Sequence, residues 1–312
     1  MRVGVVFPGQ GSQAVGMGGA IAERYPVAAD CFTRAQGILG YDLLTLVRGG
    51  PEDKLRETQY SQPAIFVVNY ALALAAGDVG VVASAGHSFG EYCSLTLAGA
   101  LRFEDALALV HERGLAMQDA AERTTGGMAA ILGLEAEIVE EAVQEARSAG
   151  RVTLANLNAP GQIVVSGERA AVVAAGEAAL KRGAKRVVPL NVSGAWHSEL
   201  MLPARERFAS SVARAAIALP RFTVVSNVDA VRYSDVATIR TNLIRSVTDE
   251  VRWHATAQRL VAEGLDLVVE FGGAAVLAPL FKRLEGAPKA MHVGDERGLE
   301  KLQQTLGAAR VA

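Results

Sequence analysis

The stretch Ala85-Gly86-His87-Ser88-Phe89-Gly90-Glu91-Tyr92 determines how the rest of the chain is interpreted. It contains the pattern Gly-x-Ser-x-Gly, preceded by a short apolar run at residues 79–83 and followed by residues with helix-compatible spacing. In such a context the flanking glycines let a strand turn sharply into a helix, and the serine hydroxyl is exposed on the bend. The sequence therefore predicts a nucleophile elbow with Ser88 at its tip. An ordinary surface turn is the alternative that other residues must exclude.

The composition of the chain argues against a nucleic-acid-binding protein and against a membrane protein. The chain has 312 residues, half of them apolar, and a formal net charge of −2. Neither a basic surface for nucleic acid nor an apolar span of about 20 residues for a membrane is expected. The two cysteines, Cys31 and Cys93, lack the spacing of a metal site, so no metal is expected. Residues 3–7 read as a strand that ends at Pro8, not as a signal peptide, which predicts a soluble cytoplasmic protein.

The order of predicted elements indicates an α/β fold. A strand at residues 3–7, helices, a break at residues 59–63, a helix over residues 64–76, a strand and the elbow helix follow one another. Residues 126–194 then read as β-α-β-β-α-β, the ferredoxin-like unit. We therefore expect an α/β-hydrolase-like catalytic domain with a parallel sheet, formed by residues 1–125 and 195–312. The ferredoxin-like subdomain, residues 126–194, is inserted into it and is expected to form one wall of a cleft.

One arginine lies on the wrong side of a predicted helix. Residues 104–121 carry an apolar stripe, and Arg113 falls on that stripe between Leu109 and Met117. A guanidinium on an apolar face needs a partner. In a structural role, the aliphatic part of Arg113 would pack in the core while its guanidinium reaches solvent or an internal carboxylate. In a functional role, the guanidinium would be a fixed cation that binds a substrate carboxylate. The spacing alone leaves both interpretations open.

Two further loops carry candidate groups. Gly9-Gln10-Gly11 follows the first predicted strand and resembles a binding loop, although it has neither a Walker ending nor a dinucleotide spacing. His197 lies in a loop of small residues after the inserted subdomain and is the best of the five histidines for a general base. A structural, hydrogen-bonded histidine is the alternative. His87 adjoins Ser88 along the chain, where neighbouring side chains diverge, so it is a poor proton partner.

Taken together, five motifs resemble those of the malonyl-CoA:acyl carrier protein transacylases. The resemblance covers nearly the whole chain, and five motifs in the right order are far more specific than one. They are Phe7-Pro8-Gly9-Gln10-Gly11-Ser12-Gln13, Gly86-His87-Ser88-Phe89-Gly90-Glu91-Tyr92, Arg113 with Met117 and Gln118, Asn156-Leu157-Asn158-Ala159-Pro160-Gly161-Gln162, and Gly194-Ala195-Trp196-His197-Ser198.

The resemblance implies a ping-pong acyl transfer. Ser88 would be the nucleophile and His197 its general base, while the backbone amides of Gln10 and Phe89 would form the oxyanion hole. Arg113 would hold the malonyl carboxylate. The other residues implied to contact the substrate are Met117, Asn158, Gln162 and Trp196. No tightly bound cofactor is implied, since the CoA thioester is a substrate and the phosphopantetheine is carried by the partner, an acyl carrier protein. A monomer is expected.

The chain departs from the family pattern at three places. It has Asp249-Glu250-Val251-Arg252-Trp253 where members commonly have Asn-Pro-Val-Gln-Trp, and the backbone carbonyl of Arg252 would then orient the catalytic imidazole. Trp196 replaces the usual Phe, and Gly272-Gly273-Ala274 replaces Gly-Pro-Gly. These changes leave open a trans-acting acyltransferase with another acyl specificity, or an acyl hydrolase (thioesterase) acting on carrier proteins. A non-catalytic scaffold is hard to reconcile with the full set of motifs.

Four cations are candidates for contact with the carrier protein. They are expected to flank the cleft at the end of the inserted subdomain, because the carrier protein is acidic in this family. A solvated helix end with cations at its C-terminus is the alternative. The residues are Lys181, Arg182, Lys185 and Arg186.

Overall fold

The structure, a computed structural model, describes residues 1–311 as nine strands and fourteen α-helices. The strands are β1 Val3–Phe7, β2 Val81–Gly86, β3 Gly126–Leu132, β4 Val152–Ala159, β5 Gln162–Glu168, β6 Arg186–Pro189, β7 Thr223–Val225, β8 Leu267–Phe271 and β9 Lys289–Val293. The helices are α1 Gly19–Arg24, α2 Pro26–Leu39, α3 Leu43–Gly49, α4 Glu52–Arg56, α5 Thr58–Ala75, α6 Gly90–Leu97, α7 Phe103–Glu122, α8 Ala136–Ala146, α9 Arg169–Lys181, α10 Leu202–Arg214, α11 Val236–Arg245, α12 Trp253–Val261, α13 Ala278–Phe281 and α14 Glu296–Val311. Short 3₁₀ turns cover Arg147–Ala149 and Glu199–Met201.

Five strands form a parallel sheet in the order β7-β2-β1-β8-β9. Strands β1 and β8 are buried along their whole length, as expected for a parallel sheet covered on both faces. Val3, Val5 and Phe7 of β1 belong to the apolar core on one face, and Val6 belongs to the core on the other face. The carboxyl ends of β1 and β2, where loops of parallel sheets form sites, therefore lie side by side.

The other four strands form an antiparallel sheet in the order β4-β5-β3-β6. Helices α8 and α9 cover one face, where Val139 and Ala175 pack with Ile131 and Val165. The opposite face contributes Met128, with Ala155 and Val164, to the core shared with the large sheet. This is the predicted split β-α-β-β-α-β unit, and the α/β prediction for the fold is confirmed. Among the described residues, no helix is both long and apolar enough to cross a membrane.

The structure differs from the expected elements at two places. Helix α5 begins at Thr58 and continues through Pro63, where the sequence predicted a break at residues 59–63. Burial of most of α5, together with Gly114 of α7, whose missing Cβ lets that helix approach the Thr58 carbonyl closely, outweighs the one hydrogen bond that Pro63 removes. Helix α13, strand β9 and helix α14 follow Gly273, a region for which the sequence predicts no element.

Candidate active site

The nucleophile elbow is formed where β2 ends and α6 begins. Ser88 has a left-handed backbone, with φ at +52°, a conformation that costs a non-glycine residue about 1–2 kcal/mol. A Cβ on Gly86 would overlap the backbone of Gly90, and a Cβ on Gly90 would overlap the Phe7 carbonyl. Both glycines are therefore required by close packing, and they force the Ser88 side chain out of the bend.

Six of the predicted site residues line one cavity of about 270 Å³ between the two sheets. A larger cavity, of about 600 Å³, lies beside the 3₁₀ turn Arg147–Ala149 and does not have Ser88 in its lining. The smaller cavity holds the reactive groups, so it is the candidate active site. The six residues are Gln10, Ser88, Arg113, Met117, Trp196 and His197.

Ser88 and His197 form a hydrogen-bonded pair. The Ser88 Oγ lies 2.9 Å from His197 Nε2, and the two residues are 7% and 4% exposed. His197 Nδ1 lies 3.0 Å from the backbone oxygen of Asp249, which can only accept a hydrogen bond. The proton of a neutral imidazole is therefore on Nδ1, and Nε2 presents a lone pair to the serine hydroxyl.

The carbonyl that orients the imidazole belongs to Asp249, and the expectation for Arg252 is wrong. Asp249 lies four residues beyond the end of α11, in the turn that follows it, and this turn brings the Asp249 carbonyl to His197 Nδ1. The chain then runs beside β4, with Val251 bonded to Ala155 and Leu157. Arg252 lies beyond this bridge, and its guanidinium pairs with Glu250 near the surface.

Burial sets the electrostatics of the imidazole. Desolvation, followed by the Arg113 charge and His87, lowers the pKa of His197 to about 3, although the carbonyls of Asp249 and Ser246 act in the opposite direction. The imidazole is thus neutral over the ordinary pH range and can accept a proton from Ser88.

Arg113 is a buried cation directed at the nucleophile. Its residue is 1% exposed; Nη1 donates to Gln62 Oε1 at 2.8 Å, and Nη2 donates to Ser88 Oγ at 3.2 Å and to the Ser246 carbonyl at 3.4 Å. Burial lowers the pKa of Arg113 to about 10, so it remains charged at neutral pH. Within the described chain, the guanidinium has no carboxylate partner, and its buried Nε–H has no acceptor. A guanidinium with no carboxylate partner and with an unused donor can accommodate a ligand carboxylate.

The start of α6 and the loop that contains Gln10 lie next to the nucleophile. Phe89 precedes the first residue of α6, so its amide belongs to the helix N-terminus, where donors lack intrahelical acceptors. Gly9 lies so close to the His87 carbonyl that an added Cβ would be 2.7 Å from it, which brings the Gln10 loop against the elbow. The Gln10 side chain is held by Thr58 at 2.8 Å. The loop that carries Gln10 therefore lies against the elbow, and Gln10 and Ser88 line the same cavity.

The structure does not bring two predicted substrate contacts into the cavity. Asn158 Oδ1 instead lies 2.9 Å from His87 Nε2, and so links the inserted subdomain to the elbow. Gln162 begins β5 opposite Leu132, away from the cavity lining. Asn156, on the same strand as Asn158 and two residues earlier, lines the cavity. Side chains two residues apart share a face on a regular strand, but the pairing of β4 with β5 is irregular between Leu154 and Asn156 and again between Leu157 and Ala159, so the two asparagines do not share one environment.

Sequence reasoning missed the residues that support the site. Gln62 accepts from Arg113 and donates to the Met117 sulfur at 3.5 Å; it was hidden in the stretch predicted as a break. Glu91, fully buried in the first turn of α6, accepts hydrogen bonds from Asn227 and from the Tyr233 hydroxyl. The motif contains Glu91, but its partners lie more than 130 residues away, so no local signal reveals them.

Comparison with known proteins agrees with this geometry. Residues 5–302 match the acyl transferase domain family. The chain belongs to this family. It is 38% identical to a malonyl CoA-acyl carrier protein transacylase of Haemophilus influenzae over 309 residues, covering 98% of this chain and 99% of the relative. A relative of the same name from Bacillus subtilis is 39% identical over 98% of this chain and 97% of its own.

Solved structures of the acyl transferase family superpose on the whole molecule. An acyl carrier protein S-malonyltransferase from Vibrio cholerae aligns with a TM-score of 0.92 at 38% identity, covering 97% of this chain and 100% of that one. A malonyl-transacylase solved in complex with its type II polyketide synthase acyl carrier protein aligns with a TM-score of 0.94 at 37% identity, covering 98% and 100%. The two-subdomain arrangement is therefore that of the acyl transferase family.

Proposed function

We propose that the protein transfers a malonyl group from malonyl-CoA to the phosphopantetheine thiol of an acyl carrier protein, for fatty acid or polyketide synthesis. The observation that carries this proposal is the position of Ser88 Oγ, 2.9 Å from a neutral imidazole and 3.2 Å from a buried guanidinium. The nucleophilic oxygen thus contacts both its base and a cation that can bind the second carboxyl group of malonate. The names of the relatives support the same reaction.

In the first half-reaction, Ser88 Oγ attacks the thioester carbonyl carbon while its proton passes to His197 Nε2. The carbonyl oxygen becomes an oxyanion, for which the amides of Gln10 and Phe89 are the proposed donors; losing one such donor typically costs about 3 kcal/mol in the barrier. The C–S bond then breaks, and the imidazolium returns the proton to the CoA sulfur. The malonyl group is left as an ester on Ser88.

The second half-reaction reverses these roles. The phosphopantetheine thiol gives its proton to His197 Nε2, and its sulfur attacks the ester carbonyl. The C–O bond to Ser88 breaks, the proton returns to Oγ, and malonyl-carrier protein leaves. The Asp249 carbonyl keeps the Nδ1 proton in place throughout, so one base serves both steps.

Malonyl preference is assigned to Arg113. The malonyl carboxylate is separated from the thioester carbonyl carbon by one methylene group, so it would lie beside the group that now contacts Ser88 Oγ. A planar guanidinium can take both carboxylate oxygens. An acetyl group would leave this buried cation without an anion, which disfavours acetyl transfer. Met117 and Trp196 would pack against the methylene and the thioester.

No observation favours the acyl hydrolase alternative. Elbow hydrolases orient their histidine with a carboxylate, whereas His197 Nδ1 faces a backbone carbonyl and, within residues 1–311, no carboxylate hydrogen bonds to the imidazole. A non-catalytic scaffold would have no use for a buried Ser-His pair with a cation beside it.

We place carrier-protein docking on the inserted subdomain. An apolar groove of about 440 Å³ runs along α9 and shares Met128, Leu190 and Val192 with the catalytic cavity. Its far end carries Leu180, half exposed, next to the predicted basic residues. Lys181, Lys185 and Arg186 stay proposed contacts, whereas Arg182 is paired with Glu141 and Glu145. The groove leads from these cations to the cavity and so suits an acidic helical partner.

The reaction is tested by intact-mass measurement. Mixing the protein with malonyl-CoA should add one malonyl group, and Ser88→Ala should abolish the adduct. Holo carrier protein should then remove the malonyl group and become malonylated, while the apo carrier protein, which lacks the thiol, should leave the adduct in place. An adduct that survives in Ser88→Ala, or one that is lost equally fast to water, would contradict the proposal.

A further inference from the structure

The turn that follows α11 supplies carbonyls to both Arg113 and His197. The Ser246 carbonyl accepts from Arg113 Nη2 at 3.4 Å, and the Asp249 carbonyl accepts from His197 Nδ1 at 3.0 Å. Residues 246–249 therefore fix the guanidinium and the imidazole relative to each other. Any movement of this turn changes the aim of both groups toward Ser88.

The side chain of Asp249 is turned away from the imidazole. Its Oδ2 accepts from Arg245 Nε at 2.8 Å, and its Oδ1 accepts from the Thr248 hydroxyl at 2.9 Å. Arg205 Nη1 donates to the same hydroxyl at 3.0 Å and lies 3.6 Å from Asp249 Oδ1. The residue that orients His197 thus presents its backbone oxygen inward and its carboxylate outward.

Arg245 holds the turn at a second point. Its Nη1 donates to Asp229 Oδ1 at 3.0 Å and to Asn242 Oδ1 at 3.3 Å. The guanidinium consequently joins the last turn of α11, the turn after it, and the loop that follows β7. With a side chain 35% exposed, this ion pair stabilises the fold only modestly, so its main effect is on geometry.

We infer that Arg245 is a positioning residue of the catalytic pair. By anchoring the Asp249 carboxylate on the outer side of the turn, it keeps the Asp249 carbonyl directed at His197 Nδ1. The kinetic consequence rests on the proposed malonyl transfer, whereas the hydrogen bond itself exists in the free enzyme. Without the anchor, the carbonyl loses its fixed direction, and the Nδ1 proton and the aim of Nε2 become less well defined.

The test compares Arg245→Met with Arg232→Met, a control in which the lost ion pair, with Glu263, lies away from the site. In Arg245→Met we expect kcat for malonyl transfer to fall roughly tenfold to a hundredfold with little change in KM for malonyl-CoA. In the free enzyme, the low-field proton resonance of His197 Nδ1–H should broaden or disappear. Arg245→Lys should recover part of kcat and part of the Nδ1–H resonance, and Arg232→Met should leave both unchanged.

Unchanged kcat and an unchanged Nδ1–H resonance in Arg245→Met would overturn the inference. Circular dichroism shows whether the variant folds; if it does not, Asp249→Ala, which removes the carboxylate anchor and keeps the backbone carbonyl, decides in the same way. If the wild-type protein forms no malonyl adduct, the proposed function fails. The resonance of the free enzyme still tests the role of Arg245 in that case.

Discussion

At the scale of single residues, Arg113 is the group that a structural role explains least well. It is buried, charged and without a carboxylate partner among the described residues. We expect Arg113→Ala to lower kcat/KM for malonyl-CoA about a hundredfold, because a charge-assisted pair of hydrogen bonds is lost. Acetyl-CoA should lose much less, so its relative use rises. Steady-state rates with both thioesters measure this, and an equal loss for the two would assign Arg113 to the fold.

The ionisation of His197 leads to a second expectation. Because burial and Arg113 lower its pKa to about 3, the base is already neutral at pH 5 and gains nothing from further deprotonation. The rate of Ser88 acylation should therefore stay flat from pH 5 to pH 8 and fall only in more acidic solution, as the imidazole is protonated. Stopped-flow acylation across this range, with the fold monitored by fluorescence, measures the profile. An inflection near pH 6.5 would contradict it.

How far the sequence predicts the site depends on the residue. Ser88, His197 and Arg113 are carried by short motifs or by a helical stripe, and the structure brings them together. The sequence does not predict the contacts of Asp249 with His197 or of Gln62 with Arg113. Which carbonyl faces an imidazole depends on the path of a turn, and Gln62 faces Arg113 only because α5 continues across Pro63. The motif predicts Asn158 as a substrate contact, whereas Asn156, two residues earlier on the same strand, lines the cavity.

At the scale of elements, the elbow is held by a buried carboxylate. Glu91 accepts a hydrogen bond from the backbone N–H of Asn227 at 2.7 Å, and the side-chain amide of Asn227 donates to the Ser88 carbonyl at 3.3 Å. Burial raises the pKa of Glu91, which these hydrogen bonds oppose. The start of α6 is therefore tied to the loop after β7, and the position of Ser88 depends on both.

We expect Glu91→Gln to destabilise the protein by about 1–3 kcal/mol. Its amide nitrogen would face a donor at one end, either Asn227 or the Tyr233 hydroxyl, and leave that donor unpaired. Acylation of Ser88 should slow as well, since the elbow loses its support. Urea unfolding measures the free energy, with Glu122→Gln on the α7 surface as control. If Glu91→Gln is as stable as the wild type, the hydrogen bonds of Glu91 contribute little to the stability of the fold.

The inserted subdomain shows what an element pattern can predict. Alternating apolar residues and helical stretches predicted the order β-α-β-β-α-β, and strand pairing within the antiparallel sheet follows from that order. Helix α5 was predicted to start after Pro63 because proline usually interrupts a helix. Tertiary burial outweighs that local preference, and burial is not visible in a short window of sequence.

At the scale of the whole molecule, the groove along α9 makes docking testable. Val173→Glu places an acidic group in an apolar groove proposed to receive an acidic partner, and Val173 is 56% exposed. KM for holo carrier protein should rise about tenfold, while KM for malonyl-CoA stays unchanged. Val27→Glu, at an exposed position of α2, is the control. Transfer kinetics that are equal in both variants, or insensitive to salt, would argue against this surface.

Both reactive residues have a left-handed backbone, with φ at +52° for Ser88 and +57° for His197. This conformation lowers the stability of the fold, whereas catalysis requires these two side chains, so stability and activity favour different residues at both positions. Glycine and asparagine adopt this conformation at lower cost, so Ser88→Gly and His197→Asn should be inactive but more stable than the wild type by about 1 kcal/mol, and should unfold at a slightly higher temperature. Thermal unfolding of the two variants measures the gain. In a lineage that no longer needs the reaction, these two positions would therefore be among the first to drift, because losing them improves the fold.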